Sequence, residues 1–90
     1  GPAKAAKSAA PAFKQYRESD GQFYFKLLNA QGKLMLQSKA FAAPREAAQA
    51  IQRLQQLGTA GLADLSGQIS ERASDAEVAA ALQHFAQNVT

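Results

Sequence analysis

The sequence predicts a small α+β domain in which a three-stranded antiparallel meander is covered on one face by two α-helices. Apolar residues recur at every second position in the runs 22–28 and 33–38, which is the period of a half-buried strand. Apolar residues at helical spacing follow in the segments 44–57 and 75–88. With an optional short fourth strand between the helices, the predicted order is β-β-β-α-(β)-α.

The hairpin formed by the runs 22–28 and 33–38 is the best-marked element. The sequence Asn29-Ala30-Gln31-Gly32 joins the two runs and supplies turn-forming residues. The apolar face of the hairpin consists of Phe23, Phe25, Leu27, Leu34 and Leu36. Because an isolated hairpin is only marginally stable in water, we expect this face to be covered by the helices.

The run 13–17 is predicted to be the first strand. It precedes the Asp20-Gly21 pair, a strong reversing signal, and therefore pairs antiparallel with the run 22–28. If Phe13 faces the core, strand alternation places a second set of side chains on the opposite face of the sheet. That set consists of Lys14, Tyr16, Tyr24, Lys26, Met35 and Gln37.

Pro44 is suited to the first position of a helix, and Gly58 to its end. The apolar stripe predicted for this first helix consists of Ala47, Ile51, Leu54 and Leu57. The segment 59–73 is predicted to hold a loose helical turn and a short strand centred on Ile69, separated at Ser66-Gly67.

A capping box, Ser74-x-x-Glu77, predicts a second helix from Asp75 to Asn88. Its apolar stripe consists of Val78, Leu82, Phe85 and Val89. This stripe needs a partner surface, which is either the same sheet face beside the first helix or the remainder of a longer protein. We expect the sheet face.

Residues 13–90 are expected to form one domain, because the segment 1–12 contains no large apolar side chain. Gly1-Pro2 is typical of the remnant of a removed tag, and we interpret the stretch up to Ala12 as a flexible linker from a longer protein. No apolar run approaches the roughly 20 residues that cross a bilayer. We expect a cytoplasmic domain without a membrane partner.

No residue is predicted to be catalytic. The chain has no cysteine and a single histidine, His84, which excludes Cys-His nucleophiles and makes a histidine or thiolate metal site implausible. We interpret His84 as a boundary residue, and Asp75 and Glu77 as complements to a helix dipole. The Gly58-x-x-Gly61 spacing resembles a backbone-gripping loop but lacks charge, so a helix end is the better interpretation.

The face that carries the two tyrosines is the candidate functional site. Nine of the ten Lys and Arg residues, but three of the seven acids, lie at or before Leu57. Lys14, Tyr16, Tyr24 and Lys26 combine stacking surfaces with cations, as in sheet platforms that hold single-stranded nucleic acid. The predicted peripheral phosphate contacts are Arg17, Lys33 and Lys39.

Two other interpretations of this face stay open on the residues alone. Tyrosine is a good strand former and lysine protects exposed sheets, so the same pattern occurs in purely structural domains. Alternatively, Tyr24, Leu28 and Met35 form a patch that docks on another protein.

The segment 13–51 resembles a known family. Phe13-x-x-Tyr16, Asp20-Gly21-x-Phe23-x-Phe25-x-Leu27 and Asn29-x-x-Gly32 are similar to the YegP-like domain of unknown function, a strand-strand-strand-helix unit. That family often has tandem copies with Asn-Gly at the second turn, whereas this chain has one copy with Gln31-Gly32 there.

More narrowly, the segments 13–17 and 20–27 resemble the C-terminal extension of long bacterial tryptophanyl-tRNA synthetases. The resemblance implies a non-catalytic appendage whose partners are tRNA and the parent synthetase body. It also implies ATP and tryptophan as ligands of the parent only, with no cofactor in this domain. Of the three interpretations of the tyrosine-bearing face, it favours RNA contact.

Overall fold

The computed structural model describes residues 10–87 of the chain. Four antiparallel strands form one sheet in the order β1-β2-β3-β4. The strands are β1 (Ala12–Arg17), β2 (Phe23–Leu28), β3 (Leu34–Ser38) and β4 (Ile69–Arg72). The helices are α1 (Pro44–Leu57), α2 (Thr59–Asp64) and α3 (Asp75–Gln87), with a 3-10 turn at Ser66–Gln68. The predicted α+β meander with a fourth strand is confirmed.

Some predictions fall outside the described residues. The proposed tag remnant and most of the proposed linker lie in residues 1–9, and Asn88 and Val89 of the predicted last helix lie beyond Gln87. Among residues 10–87, no helix combines the length and the apolar character needed to cross a membrane.

The two turns of the meander are fixed by side-chain acceptors and by glycine. Asp20 Oδ1 accepts a hydrogen bond from the Gln22 N–H at 2.8 Å, and Gly21 has a φ of 80°. In the second turn, Asn29 Oδ1 accepts from the Lys33 N–H at 2.9 Å, and Gly32 has a φ of 83°. Since this φ region is open mainly to glycine, both turns follow from the local sequence.

One hydrophobic core lies between the sheet and the helices. Its largest fully buried apolar side chains are Phe25, Leu27, Met35, Leu36, Leu54, Leu82 and Val78. Phe13 on β1 connects the sheet to α3, because its ring centroid lies 6.1 Å from that of Phe25 and 4.9 Å from that of Phe85. Helices α1 and α3 therefore cover the same face of the sheet, as predicted.

Met35 corrects the predicted strand alternation. Leu28 pairs with Leu34 and Leu27 pairs with Leu36, so Met35 is the additional residue of a β-bulge in β3. Its side chain is 0% exposed and packs in the core. The prediction that Met35 lies on the opposite face, as part of a docking patch with Tyr24, is therefore wrong.

Helix α1 begins at Pro44, as predicted, and ends before Gly58, whose φ is 61°. Ala47 and Leu54 are buried, but Leu57 is 49% exposed. Including Leu57 in the apolar stripe was wrong, because the helix stops there and the chain turns away at Gly58.

Helix α2 packs closely on α1 through Gly61. A Cβ atom added at Gly61 would lie 2.8 Å from the Arg53 carbonyl oxygen, so a larger residue would force the helices apart. The Gly58-x-x-Gly61 sequence is thus a helix end followed by a close helix contact.

Helix α3 begins with the predicted capping box. The Glu77 N–H donates to Ser74 Oγ at 3.3 Å, and the Ser74 hydroxyl donates to Glu77 Oε1 at 2.9 Å. The other carboxylate oxygen of Glu77 pairs with Lys33 Nζ at 2.9 Å. Lys33 and Ser74 together lower the pKa of Glu77, with Lys33 contributing most. This ion pair links the β2–β3 turn to α3.

Candidate nucleic-acid interface

The sheet face that points away from the helices brings together four of the seven predicted site residues. Lys14 pairs with Lys26, and Tyr16 with Tyr24, between β1 and β2. Gln37 of β3 continues the row from Lys26. Paired residues of an antiparallel ladder share a face, so these side chains are neighbours. This surface, called the outer face below, consists of Lys14, Tyr16, Tyr24, Lys26 and Gln37.

The two tyrosines of the outer face form a stack held by hydrogen bonds. Their ring centroids lie 5.7 Å apart with an angle of 16° between the ring planes. The Tyr24 hydroxyl donates to Asp20 Oδ2 at 2.6 Å, and Gln37 Nε2 donates to the Tyr16 oxygen at 2.7 Å. Both rings therefore keep a defined orientation without a ligand.

The Asp20–Tyr24 hydrogen bond couples the protonation of the two groups. It is the main cause that raises the pKa of Tyr24 to about 12. The same bond is the main cause that lowers the pKa of Asp20, with help from the Gln22 N–H. At neutral pH, Tyr24 is the donor and Asp20 is a carboxylate.

Lys14 and Lys26 are directly opposite each other in the register of β1 and β2. Like charges in this position destabilise a sheet. Across residues 10–87, neither lysine has a carboxylate within ion-pair distance. Lys26 Nζ lies 5.5 Å from the Tyr16 ring centroid, a cation–π contact that leaves its charge uncompensated. We call this pair the basic end of the outer face.

The opposite end of the outer face is rich in hydrogen-bond acceptors. An open groove of about 450 Å³ lies there, and its lining includes the carboxylates of Glu18 and Asp20. The complete lining is Tyr16, Glu18, Ser19, Asp20, Tyr24, Gln37, Ser38 and Ser70. We call this region the tyrosine end. Outside it, Glu71 of β4 pairs with Gln37 in the same cross-strand row as Lys26, and it adds a third carboxylate to the outer side of the sheet.

These acidic residues were not among the site residues predicted from the sequence. Glu18 and Asp20 could have been found, because the turn that contains them joins Tyr16 to Tyr24. Glu71 carried no such signal, since the register of β4 is set by its pairing with β3 and not by a local pattern.

The three predicted peripheral contacts lie elsewhere. Arg17 shares the helix-covered face with Phe23, and its guanidinium carbon lies 5.7 Å from that ring centroid. Lys33 is paired with Glu77. Lys39 is exposed just after β3, where its N–H donates to the Gln68 carbonyl at 2.7 Å.

A metal site and the single histidine are the other candidates for chemistry in the described residues. In the segment 10–87, no group of three His, Cys, Asp or Glu side chains is placed to hold a metal ion. His84 is half-buried, with its ring centroid 5.1 Å from that of Phe85 in an edge-to-face arrangement.

Several curated proteins are similar to this chain. The relative named Tryptophan--tRNA ligase from Xanthomonas campestris pv. campestris is 71% identical over 51 residues, which is 57% of this chain and 12% of the relative. The protein of the same name from Xanthomonas axonopodis pv. citri is 53% identical over 74 residues, 82% of this chain and 17% of the relative. That from Xylella fastidiosa is 52% identical over 54 residues, 60% of this chain and 12% of the relative.

The chain thus spans between 12% and 17% of the length of these relatives. No solved structure matches it significantly. The family model for the Domain of unknown function (DUF1508) matches residues 18–64, which include β2, β3, α1 and α2. The resemblance to a YegP-like domain is therefore confirmed, and since the match covers more than half of the residues, the chain belongs to the DUF1508 family.

Proposed function

We propose that this chain is a non-catalytic domain at the C-terminus of a tryptophan–tRNA ligase, and that its outer face contacts tRNA. The relatives support the first part, because each carries that name and matches over a segment the size of one small domain. Tryptophan and ATP would bind the parent body alone, and the domain would need no cofactor or metal. Its location would be the cytoplasm, where charging occurs.

The Lys14–Lys26 pair is the observation that carries the tRNA proposal. The two lysines are cross-strand partners, a position in which like charges destabilise a sheet, and neither has a carboxylate partner among residues 10–87. A phosphate group between them would convert this repulsion into two attractive contacts. Release of counterions from the RNA would add to the affinity.

The stacked tyrosines supply the second component. Base stacking on an aromatic side chain contributes about 1–3 kcal/mol per base and needs no particular sequence. Tyr16 and Tyr24 are already oriented by Gln37 and Asp20, so little side-chain freedom is lost on binding. Unpaired bases of a tRNA would therefore lie over the tyrosines while the backbone passes the lysines.

The peripheral contacts are proposed to contribute less. Lys33 must give up its pairing with Glu77 to reach a phosphate. Arg17 starts from the helix-covered face. Arg17 and Lys39 are both exposed and have no recorded ion pair in the described part of the chain.

Titration of the 90-residue chain with tRNA at several salt concentrations tests the proposal. The Lys14→Ala/Lys26→Ala variant should bind more weakly and lower the slope of log affinity against log salt by about two. The matched control is Arg53→Ala/Arg72→Ala, which removes the same charge from two ion-paired positions outside the proposed site. Equal losses in both variants would mean that only net charge matters, and the outer face would not be the site.

Truncation of the parent enzyme tests the same idea in context. Removing the domain should raise the apparent KM for tRNA and leave the ATP-dependent activation of tryptophan unchanged. The parent body would hold most of the tRNA, so the isolated domain can bind weakly and still matter through its high effective concentration. Equal charging at limiting tRNA would contradict the proposal.

A docking role is the alternative. An open groove of about 700 Å³ lies where the chain enters the sheet, and its lining includes Pro11, Ala12 and Leu28. If the parent body covers this groove, Leu28→Ala should loosen the domain from the body, as measured by limited proteolysis of the linker. Lys14 also lines this groove, so the separating variant is Lys26→Ala, which would then leave tRNA charging unchanged.

A further inference from the structure

The two ends of the outer face differ in charge and in what they can hydrogen-bond. The basic end presents Lys14 and Lys26, which are donors only. The tyrosine end presents the Tyr16–Tyr24 stack, bordered by Glu18 and Asp20. A ligand that fits the whole face must therefore carry an anionic group at one end and a planar group that donates hydrogen bonds at the other.

The free hydrogen-bonding capacity at the tyrosine end is mostly that of acceptors. Gln37 Nε2 is engaged with the Tyr16 oxygen and with the Phe25 and Ser38 carbonyls, while its Oε1 has no recorded donor within residues 10–87. Asp20 accepts from the Tyr24 hydroxyl and the Gln22 N–H, which leaves lone pairs on both carboxylate oxygens.

The serine hydroxyls change this balance little. Ser70 donates to the Gln37 and Ser38 carbonyls, and Ser38 donates to the Lys39 carbonyl. Of the hydroxyls that line the groove, those of Tyr16 and Ser19 have no recorded acceptor among the described residues, since the Tyr16 oxygen is itself an acceptor from Gln37. The carboxylate and amide oxygens outnumber these two hydroxyl donors, so a group that brings N–H donors of its own fits best beside the tyrosines.

These features select among the parts of a nucleotide. A phosphate is repelled by Glu18 and Asp20, so it belongs at the basic end. A base that lies on the tyrosines meets acceptors at its edge, and carboxylates accept well from exocyclic amino groups such as N4 of cytosine. Uracil has a carbonyl oxygen at the corresponding position, which would face the acceptors of Asp20 and Gln37.

A basic peptide fits only half of the face. An arginine side chain could stack on Tyr24 and donate to Asp20. Its neighbours in a basic segment would then meet Lys14 and Lys26, which repel cations. A nucleotide satisfies both ends, and the separation suits it: Tyr24 and Lys26 are two residues apart on one strand, a rise of about 7 Å that a single nucleotide can bridge.

We infer that the outer face binds an unpaired RNA nucleotide whose base carries an exocyclic amino group, with the phosphate between Lys14 and Lys26 and the base on Tyr16 and Tyr24. This inference rests on the RNA contact proposed above and adds a base preference to it. Cytosine is the clearest case, because it differs from uracil mainly in the group at position 4.

The test is a titration of the 90-residue chain with oligocytidylate and oligouridylate of equal length at low salt. Oligocytidylate should bind about three- to tenfold more tightly. Asp20→Ala should bring the ratio of the two affinities closer to one. The dependence of binding on salt should stay the same, since both lysines remain. The control Asp64→Ala removes another exposed carboxylate, which is paired with Arg53 and lies outside the outer face, and it should keep the ratio.

Asp20 also supports a turn, so circular dichroism must first show that Asp20→Ala is folded. A second measurement needs no variant: the ring-proton NMR signals of Tyr16 and Tyr24 in the unmodified chain should shift more with oligocytidylate than with oligouridylate.

Equal affinity for both oligonucleotides would overturn the base preference and leave the proposed tRNA contact standing. Binding of tRNA without binding of either oligonucleotide would have the same meaning. Absence of tRNA binding would overturn both proposals. If oligoarginine shifts the tyrosine signals at lower concentration than oligocytidylate, the site is for a basic protein segment and the inference is wrong.

Discussion

The two faces of strand β2 differ sharply in how exposed their side chains are. Phe25 and Leu27 point into the core and are 0% exposed, while Tyr24 and Lys26, their neighbours along the chain, lie half-buried on the outer face. The same backbone hydrogen bonds hold both sets. Strand β2 thus divides its residues between the core and the outer face, with a period of two.

The outer face is not arranged for maximal stability. Exchanging Lys14 or Lys26 for glutamate would turn a repulsive cross-strand pair into an attractive one. Tyr16 and Tyr24, in contrast, are fixed by hydrogen bonds to Gln37 and Asp20. Ordered rings beside uncompensated cations are the features that a stacking and phosphate-binding surface requires.

Removing residues 75–90 should have the largest effect, because it takes the whole of α3 from the helix-covered face. Val78 and Leu82, both buried, would be lost together with the Phe85 contact to Phe13. We expect thermal unfolding followed by circular dichroism to lose its cooperative transition. An unchanged melting curve would mean that α3 serves as a docking element and not as part of this core.

A point substitution gives a milder version of this test. Leu82→Ala should cost about 2–5 kcal/mol of unfolding free energy. The control is Gln83→Ala, at an exposed neighbouring position, which should change the unfolding free energy by less than about 0.5 kcal/mol.

The contrast between the two faces of β2 can be measured directly with Phe25→Ala and Tyr24→Ala. Phe25→Ala should cost about 3–5 kcal/mol, since the ring is fully buried and contacts Phe13 and Phe41. Tyr24→Ala removes one ring stack and one exposed hydrogen bond, so we expect a loss of about 1–2 kcal/mol. Urea denaturation gives both values. Equal losses would contradict the assignment of separate roles to the two faces.

The order of elements was predictable because the signals are local. Alternation in 22–28, the Asp20-Gly21 turn, Pro44 and the Ser74-x-x-Glu77 box each specify their own segment. Met35 and Leu57 were assigned to the wrong environment for a different reason. The bulge at Met35 arises from pairing with β2, and the exposure of Leu57 depends on where the chain turns after α1.

The site was predictable only where the alternation of side chains along a strand decides which face a residue occupies. This alternation placed Lys14, Tyr16, Tyr24 and Lys26 on one face. It would also have separated Arg17 from them, since Arg17 lies on the same face as Phe13. The pairing of Lys33 with Glu77 joins residues that are distant in sequence. No local pattern reveals a contact of this kind.

The Asp20–Tyr24 bond on the outer face makes a prediction at high pH. Because Asp20 raises the pKa of Tyr24 to about 12 from the ordinary 10.0, the ionisation of Tyr24 should appear well above pH 10 in an ultraviolet titration. Tyr24 loses its proton at lower pH in the unfolded chain than in the folded protein, so stability should fall as pH rises from roughly 10 towards 12. Asp20→Asn should move the ionisation of Tyr24 to lower pH. Glu18→Gln should move it less, because Glu18 is a minor cause of the shift.

The smallest expected effect concerns the Lys33–Glu77 pair at the border of the helix-covered side. The pKa of Glu77 is lower in the folded protein than its ordinary value of 4.5, chiefly because of Lys33. A lowered carboxyl pKa stabilises the fold above the ordinary pKa, and this contribution is lost as pH falls through the folded pKa. The midpoint of urea denaturation should therefore decrease slightly between roughly pH 5 and pH 3. In the Glu77→Gln variant this decrease should be smaller.

The side chains of Lys33 and Glu77 are 61% and 40% exposed, so solvent screens the pair and the decrease should shrink with added salt. Lys33→Met should act like Glu77→Gln, since it removes the main cause of the lowered pKa while keeping a long side chain. Glu71→Gln is the matched control, because this exposed carboxylate on β4 has no recorded ion pair within residues 10–87. If Glu71→Gln reduces the decrease in the urea midpoint at acid pH as much as Glu77→Gln does, the decrease reflects the net charge of the domain. The Lys33–Glu77 contact would then have no separate role in holding the β2–β3 turn against α3.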